Sequence, residues 1–208
     1  LMAEENAKAC FADYVSKSEK KRLGLELIKE KLGLAQIPVR IECFDISTFQ
    51  GRETVASQVV FEDGVPDKNQ YRRYKIATVS GVDDYASMHE VLSRRFKHVE
   101  YPDPQLIVVD GGKGQLNIAV RVLKELGKSQ LPVVGLAKAR TISSFTAGEV
   151  ERSQERFFLP NRQNPVTFSE ASEAYRILVA IRDEAHRFAI TYHRKLREAH
   201  SMDSQLDQ

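Results

Sequence analysis

Residues 105–127 read QLIVVDGGKGQLNIAVRVLKELG. The first six, QLIVVD, form an unbroken apolar run that ends on Asp110. A run without polar alternation is the pattern of a strand covered on both faces. GGKGQLNIAVRVLKELG (111–127) then reads as a glycine turn and a helix, which Gly127 stops. On the C-terminal side, LPVVGLAK (131–138) is another short strand. On the N-terminal side, DDYASMHEVLSRRFKHV (83–99) has helical spacing at Tyr85, Met88, Val91, Leu92 and Phe96, with Asp83 or Asp84 as its cap. Before it lie three β-rich runs with short connections: VRIECFDI (39–46), TVASQVVFED (54–63) and NQYRRYKIATV (69–79). Together they predict an antiparallel meander. Residues 139–165 are polar and irregular, with one strand-like stretch at 156–159. From 169 to about 198 apolar residues keep a 3.6-residue period, and residues 6–33 read as a leading helix closed by Gly33 and Pro38. The last eight residues look like a tail. The order βββ-α-β-α-β-α gives a mixed sheet with helices on its faces, an α/β fold.

A chain of 208 residues makes one domain with an appendage and can bury a core without disulfides or structural metal. Its longest strongly apolar run, near 106–109, is far below the ~20 residues that cross a bilayer. The start, LMAEENAKACFADY, has no basic n-region followed by an apolar h-region. Cys10 and Cys43 make neither a disulfide framework nor a zinc motif. These features predict a soluble protein in a reducing, cytoplasmic setting. The net charge of +2 gives little overall pull on nucleic acid, so such binding must rest on local clusters.

Two predicted strands end in aspartates, Asp45 and Asp110. If the strands are neighbours, both carboxylates lie on one rim of the sheet, where open α/β folds place their ligand sites. Adjacent carboxylates repel unless a cation sits between them, and oxygen ligands select hard ions such as Mg²⁺ or Mn²⁺. An Asp after a strand is often simply a turn residue or a helix cap. DGGKGQ (110–115) fails as a P-loop, because Ile107 stands where the first glycine belongs and Gly114 follows Lys113. Its amides and Lys113 can still meet a phosphate, or the glycines simply make a tight turn. His186 shares a helix face with Arg182 and His193; it is a metal ligand, a proton carrier or an ordinary packed residue. The same helix has a basic excess that includes Arg182, Arg187, Arg194, Lys195 and Arg197. A basic stripe beside paired carboxylates suits a phosphodiester backbone, although charge runs are also ordinary solvated faces. Arg72 and Tyr74 alternate with Arg73 and Lys75, so only one of the two sets meets DNA.

The stretches FDIS (44–47), TVASQVVFEDGVPDKNQYRRYKI (54–76), DDYASM (83–88), VVDGGKGQL (108–116), VVGLAK (133–138) and IRDEAHRFAITYHRKLR (181–197) closely resemble the C-terminal half of the UvrC family. That family is the nuclease subunit of the bacterial UvrABC excinuclease, in nucleotide excision repair. The resemblance covers about residues 37–200, with its motifs in order. It implies a ribonuclease H-like fold, a mixed sheet flanked by helices, over 37–200. Residues 1–36 would be a linker helix, and 201–208 a tail leading to a helix-hairpin-helix domain that this sequence does not include.

The resemblance further implies a metal-dependent DNA endonuclease that makes the 5′ incision beside a lesion. The 3′ incision belongs to the family's GIY-YIG half, which is also absent. Carried over by motif, the catalytic set is Asp45 in FDIS, Asp110 in VVDGGKGQ and His186 in RDEAHRFA, with Asp84 (or Asp83) of DDYASM as a further acidic residue. Asp45, Asp110 and His186 would hold Mg²⁺ or Mn²⁺, and because imidazole is the softer donor, at most one ion tightly without DNA. Lys113, Arg72, Arg73, Arg182 and Arg187 are the candidate DNA contacts. The implied partners are double-stranded DNA with a lesion and the UvrB–DNA complex, with no membrane and a monomeric state. Thr48 departs from the family's FDISH or FDNSH. A competing reading is a DNA- or partner-binding module that is inactive without the missing domains.

Overall fold

Arg40–Phe49 (β1) and Glu53–Glu62 (β2) pair antiparallel along their whole length, from Arg40 opposite Glu62 to Phe49 opposite Glu53. The outer side of β2 carries β3 (Val65–Pro66) at one end and β4 (Arg72–Lys75) at the other. On its inner side β1 runs parallel to β5 (Leu106–Asp110), which runs parallel to β6 (Val133–Ala137). β6 pairs antiparallel with β9 (Arg156–Phe158). The sheet order is β3-β2-β1-β5-β6-β9, with β4 beside β2. A separate small hairpin joins β7 (Thr141–Ile142) and β8 (Glu151–Arg152). The computed structural model describes residues 2–49, 53–77, 83–138, 141–142, 151–152 and 155–206. The side chains of Thr48, His193, Arg194, Lys195 and Arg197 lie outside the described ones.

Parallel neighbours require crossovers. α2 (Asp84–Phe96) leads from β4 into β5, and α3 (Lys113–Glu125) from β5 into β6. Both cover one face of the sheet, packing Met88, Val91, Leu92, Leu116 and Leu123 against Phe44, Ile107 and Val109. The other face packs Ile41, Cys43, Leu106 and Val108 against α1 (Met2–Leu32) and α4 (Glu173–Leu206). The alternation of β1 and β5 is thus between two buried faces, which is why β5 reads as an apolar run. Among the described residues no helix is long and apolar enough to cross a membrane.

Three expectations shift. β1 runs past residue 46 to Phe49, because β2 supplies a partner beyond the end of β5. Asp45 therefore sits inside a strand, not at its end. The helix expected as a linker contributes Leu25, Ile28 and Leu32 to the α1–α4 core, while Phe11 and Tyr14 near its start stay exposed. α4 continues through residues 201–206, read from sequence as tail. No glycine or proline interrupts that segment, so nothing in it stops a helix.

Candidate active site

Asp45 and Asp110 meet because β1 and β5 are parallel neighbours in register. Phe44 lies opposite Val109, and the next residue of each strand is the aspartate. Alternation turns both carboxylates to the α4 face, above the buried Cys43 and Val108. α4 crosses that face and brings His186 to them. One side-chain ligand atom from each of Asp45, Asp110 and His186 lies within 4.8 Å of the others, and His186 Nδ1 is 3.5 Å from Asp45 Oδ2. The Asp45 side chain is 9% exposed and that of His186 is 60% exposed, so the cluster opens to solvent on the histidine side.

Two contacts set where α4 lies. Ser57, opposite Asp45 on β2, is buried, and its hydroxyl donates to the Ala185 carbonyl at 2.9 Å. This fixes the helix one residue before His186. Arg73, opposite Ser57 on β4, stacks on Phe188 with its guanidinium carbon 3.8 Å from the ring centre. Neither Ser57 nor this use of Arg73 stood out in the sequence.

Burial, and after it the charge of Asp45, push the Asp110 carboxyl up to about 6; Arg182 and His186 oppose the rise. Arg182, one turn before His186, is buried and ion-paired with Glu155 and Asp183, each at 2.7 Å. Burial, followed by the charges of Asp110 and Asp45, holds the Cys43 thiol well above its ordinary range. It stays a neutral part of the site's floor. Two like charges held together, one resisting ionisation, beside an imidazole nitrogen form a donor set that fits a hard divalent cation.

The other sequence-predicted residues are not among the three clustered donors. Asp83 caps α2, accepting from the Ala86 amide at 2.9 Å. Asp84 is exposed in the first turn of α2 and accepts from Gln115 Nε2 at 2.8 Å. Gln115 in turn lies under the turn after Asp110: a Cβ on Gly111, whose φ is +143°, would fall 2.6 Å from Gln115 Cγ. Through Gln115, Asp84 is linked to that turn. Lys113 donates to the Gln163 carbonyl at 2.7 Å. Arg187 is exposed and pairs with Glu184 at 2.6 Å. Arg182 is a buried ion-pair member rather than a surface cation. Arg72 turns to the α2 face, away from the carboxylates, as the alternation predicts.

The same turn depends on Gly135 of β6. A Cβ there would meet the Gly111 carbonyl oxygen at 3.0 Å and Leu116 Cβ at 3.1 Å. Gly135→Ala is therefore expected to displace the segment that follows Asp110, at a cost of about 1–3 kcal/mol. A urea titration against the parent checks this; an unchanged midpoint would show that the turn has slack.

The family model described as the UvrC RNAse H endonuclease domain matches residues 29–190, which include all three clustered residues. UvrABC system protein C of Bdellovibrio bacteriovorus is 68% identical over 99% of this chain and 33% of its own length. That of Geobacter metallireducens is 49% identical over 99% of this chain and 34% of its own. The chain spans about a third of the curated relatives it matches. Among solved structures, Ciona intestinalis endonuclease V in complex with a 24mer DNA covers 90% of this chain and 99% of its own, at 14% identity and TM-score 0.46. Endonuclease V of Streptomyces avermitilis covers 87% and 93%, at 16% identity and TM-score 0.46. With a family match that spans the whole sheet, α2, α3 and the first half of α4, the chain belongs to the UvrC RNase H endonuclease domain family.

Proposed function

We propose that the chain is the part of a UvrC-type protein that hydrolyses a DNA phosphodiester with a divalent metal ion, making the 5′ incision beside a lesion. The observation that carries this reading is the convergence of Asp45, Asp110 and His186 on one point of the sheet. Asp45 and Asp110 would hold Mg²⁺ or Mn²⁺, with His186 completing the protein's donors. When bound, such an ion polarises the phosphate, supplies hydroxide at neutral pH and stabilises the departing oxygen. The chain's own part is positional and electrostatic. β1 and β5 fix the two carboxylates relative to each other, and Ser57 and Arg73 hold α4 over them. The Arg182 charge offsets part of the rise that burial and the Asp45 charge impose on the Asp110 carboxyl. His186 stands on the open side, where it can ligate or carry a proton to the leaving 3′ oxygen. In the whole protein the substrate would be lesion-bearing duplex DNA handed over in a UvrB complex.

The test is reconstituted incision of a lesion-bearing duplex by the full-length protein with its UvrA and UvrB partners. His186→Ala is expected to lose the 5′ cut and keep the 3′ cut. Retention of a normal 5′ cut would remove His186 from the site, and loss of both cuts with an intact fold would argue for a binding role.

A further inference from the structure

β4 is an outer strand, and its consecutive residues serve opposite faces of the sheet. Asp45, Ser57 and Arg73 form one row across β1, β2 and β4. With strands ~4.8 Å apart, the Arg73 backbone lies about 10 Å from that of Asp45. The next residue along, Arg72, turns to the α2 face. There, between β4, β2 and the C-terminal end of α2, lies a cavity of about 300 Å³ lined by Arg40, Arg72, Arg94, Arg95, Lys97 and Tyr101.

The floor of this cavity is rigid. Glu42, wholly buried, accepts from Arg40 and twice from Arg95. Gln58 donates to Glu42 at 3.0 Å and accepts from the Tyr74 hydroxyl at 2.5 Å. Burial, and then the Glu42 charge, push the Tyr74 hydroxyl up to about 12, so it adds no negative charge. The mouth is differently composed. Arg72 is held by neutral oxygens, the carbonyls of Asn69 and Tyr71 and the Tyr101 hydroxyl, with its guanidinium carbon 5.5 Å from the Tyr101 ring centre. Arg94 lies over Tyr74 at 5.1 Å and pairs with Glu90. Lys97 makes no carboxylate contact among the described residues. Arg40 and Arg95 are spent on Glu42, and Arg40 also on Glu62. That leaves Arg72, held by carbonyls and an aromatic face, and Lys97 as cations that no carboxylate among the described residues neutralises, with Arg94 beside them; such a rim suits a phosphate group.

We propose that this cavity is a phosphate-binding site, separate from the carboxylate–histidine cluster, that takes a backbone phosphate of a nucleic acid strand passing over the β4 edge. Only the source of the phosphate rests on the nuclease reading; the pocket chemistry does not.

The test uses the chain in EDTA, with inorganic pyrophosphate and a short DNA duplex as separate probes, titrated by calorimetry. Arg94→Gln/Lys97→Gln changes exposed rim residues and is expected to weaken both probes at least tenfold. The salt slope for the duplex should fall by about one to two, since each lost phosphate contact removes about one. Lys97→Gln alone serves if the double variant melts earlier. Asp110→Asn should leave pyrophosphate binding as it is. A pyrophosphate affinity that Asp110→Asn changes as much as the rim substitutions do, in either direction, would mean that the probe reads the carboxylate site, and would overturn the proposal, as would pyrophosphate binding indifferent to the rim substitutions. Weakened pyrophosphate with an unchanged duplex would overturn the strand path and assign the pocket to free phosphate. Failure of metal-dependent incision with pyrophosphate binding intact would sink the nuclease reading alone.

Discussion

An Asp110→Asn variant is expected to lose DNA hydrolysis by at least about a thousandfold and, at neutral pH, to melt at a higher temperature than the parent. The loss follows from removing a ligand of an ion that supplies several kcal/mol of transition-state charge stabilisation, with each tenfold worth 1.36 kcal/mol. The gain follows from the Asp110 carboxyl itself, which burial and Asp45 push up to about 6 in the folded chain. An unfolded aspartate titrates near its model value of 3.8. Between roughly pH 4 and 6 the folded state therefore binds more protons, so stability falls as pH rises through that window. Above it the full penalty is present. Two pKa units correspond to about 3 kcal/mol, and partial exposure reduces this to about 1–2 kcal/mol. Asparagine removes the charge without changing the shape. At about 2–4 °C per kcal/mol the variant should melt about 2–8 °C higher at pH 7.5, with the difference vanishing near pH 4. Adding Mn²⁺ should raise the melting temperature of the parent and leave the variant where it was. Calorimetric scans at both pH values check this. A variant less stable than the parent at pH 7.5 would show that Asp110 is not under electrostatic strain.

The second large effect concerns Glu42, which is not one of the three clustered donors. Its carboxylate is fully buried and accepts from Arg40 Nε at 2.9 Å, Arg95 Nε at 2.9 Å, Arg95 Nη2 at 2.7 Å and Gln58 Nε2 at 3.0 Å. Arg40 and Arg95 are themselves 4% and 2% exposed. Glu42→Gln leaves two buried guanidiniums facing a neutral amide, and one-sided removal from a buried ion pair costs about 3–5 kcal/mol. For a domain of this size that is a fall of about 6–20 °C in melting temperature. Thermal unfolding of Glu42→Gln beside Arg22→Gln, whose pair with Glu26 is exposed, measures it. Surface pairs contribute about 0–1 kcal/mol, so equal effects from the two substitutions would mean that the Glu42 network is solvated.

Periodicity carried much of the architecture. The apolar run 105–110 and the glycine turn after it are β5 and the start of α3. The alternation in 72–75 placed Arg72 and Arg73 on opposite faces, as the structure has them. What sequence spacing cannot supply is adjacency. Asp45 and Asp110 become a pair only once β1 and β5 are known to be neighbours, and His186 is one helix histidine among others until α4 is laid across them. The motif resemblance bridged that gap; composition did not. The buried charges were harder still. Glu42 lies between the apolar Ile41 and Cys43, and its burial depends on Arg95 from a helix more than fifty residues later. Glu155 and Arg182 come from a polar loop and a helix read as a basic stripe, yet they form a buried pair beside the site. A charge in a sequence signals exposure unless its partner is visible, and here the partners are distant in the chain.

The central claim is that Asp45, Asp110 and His186 together hold a divalent ion. Soaking a crystal of this chain in Mn²⁺ and computing an anomalous difference map tests it directly. The account predicts one peak bonded to carboxylate oxygens of both Asp45 and Asp110, with His186 in or beside its shell, and no peak in Asp110→Asn. Mn²⁺ bound elsewhere on the sheet, with the two carboxylates parted and His186 turned away, would contradict it.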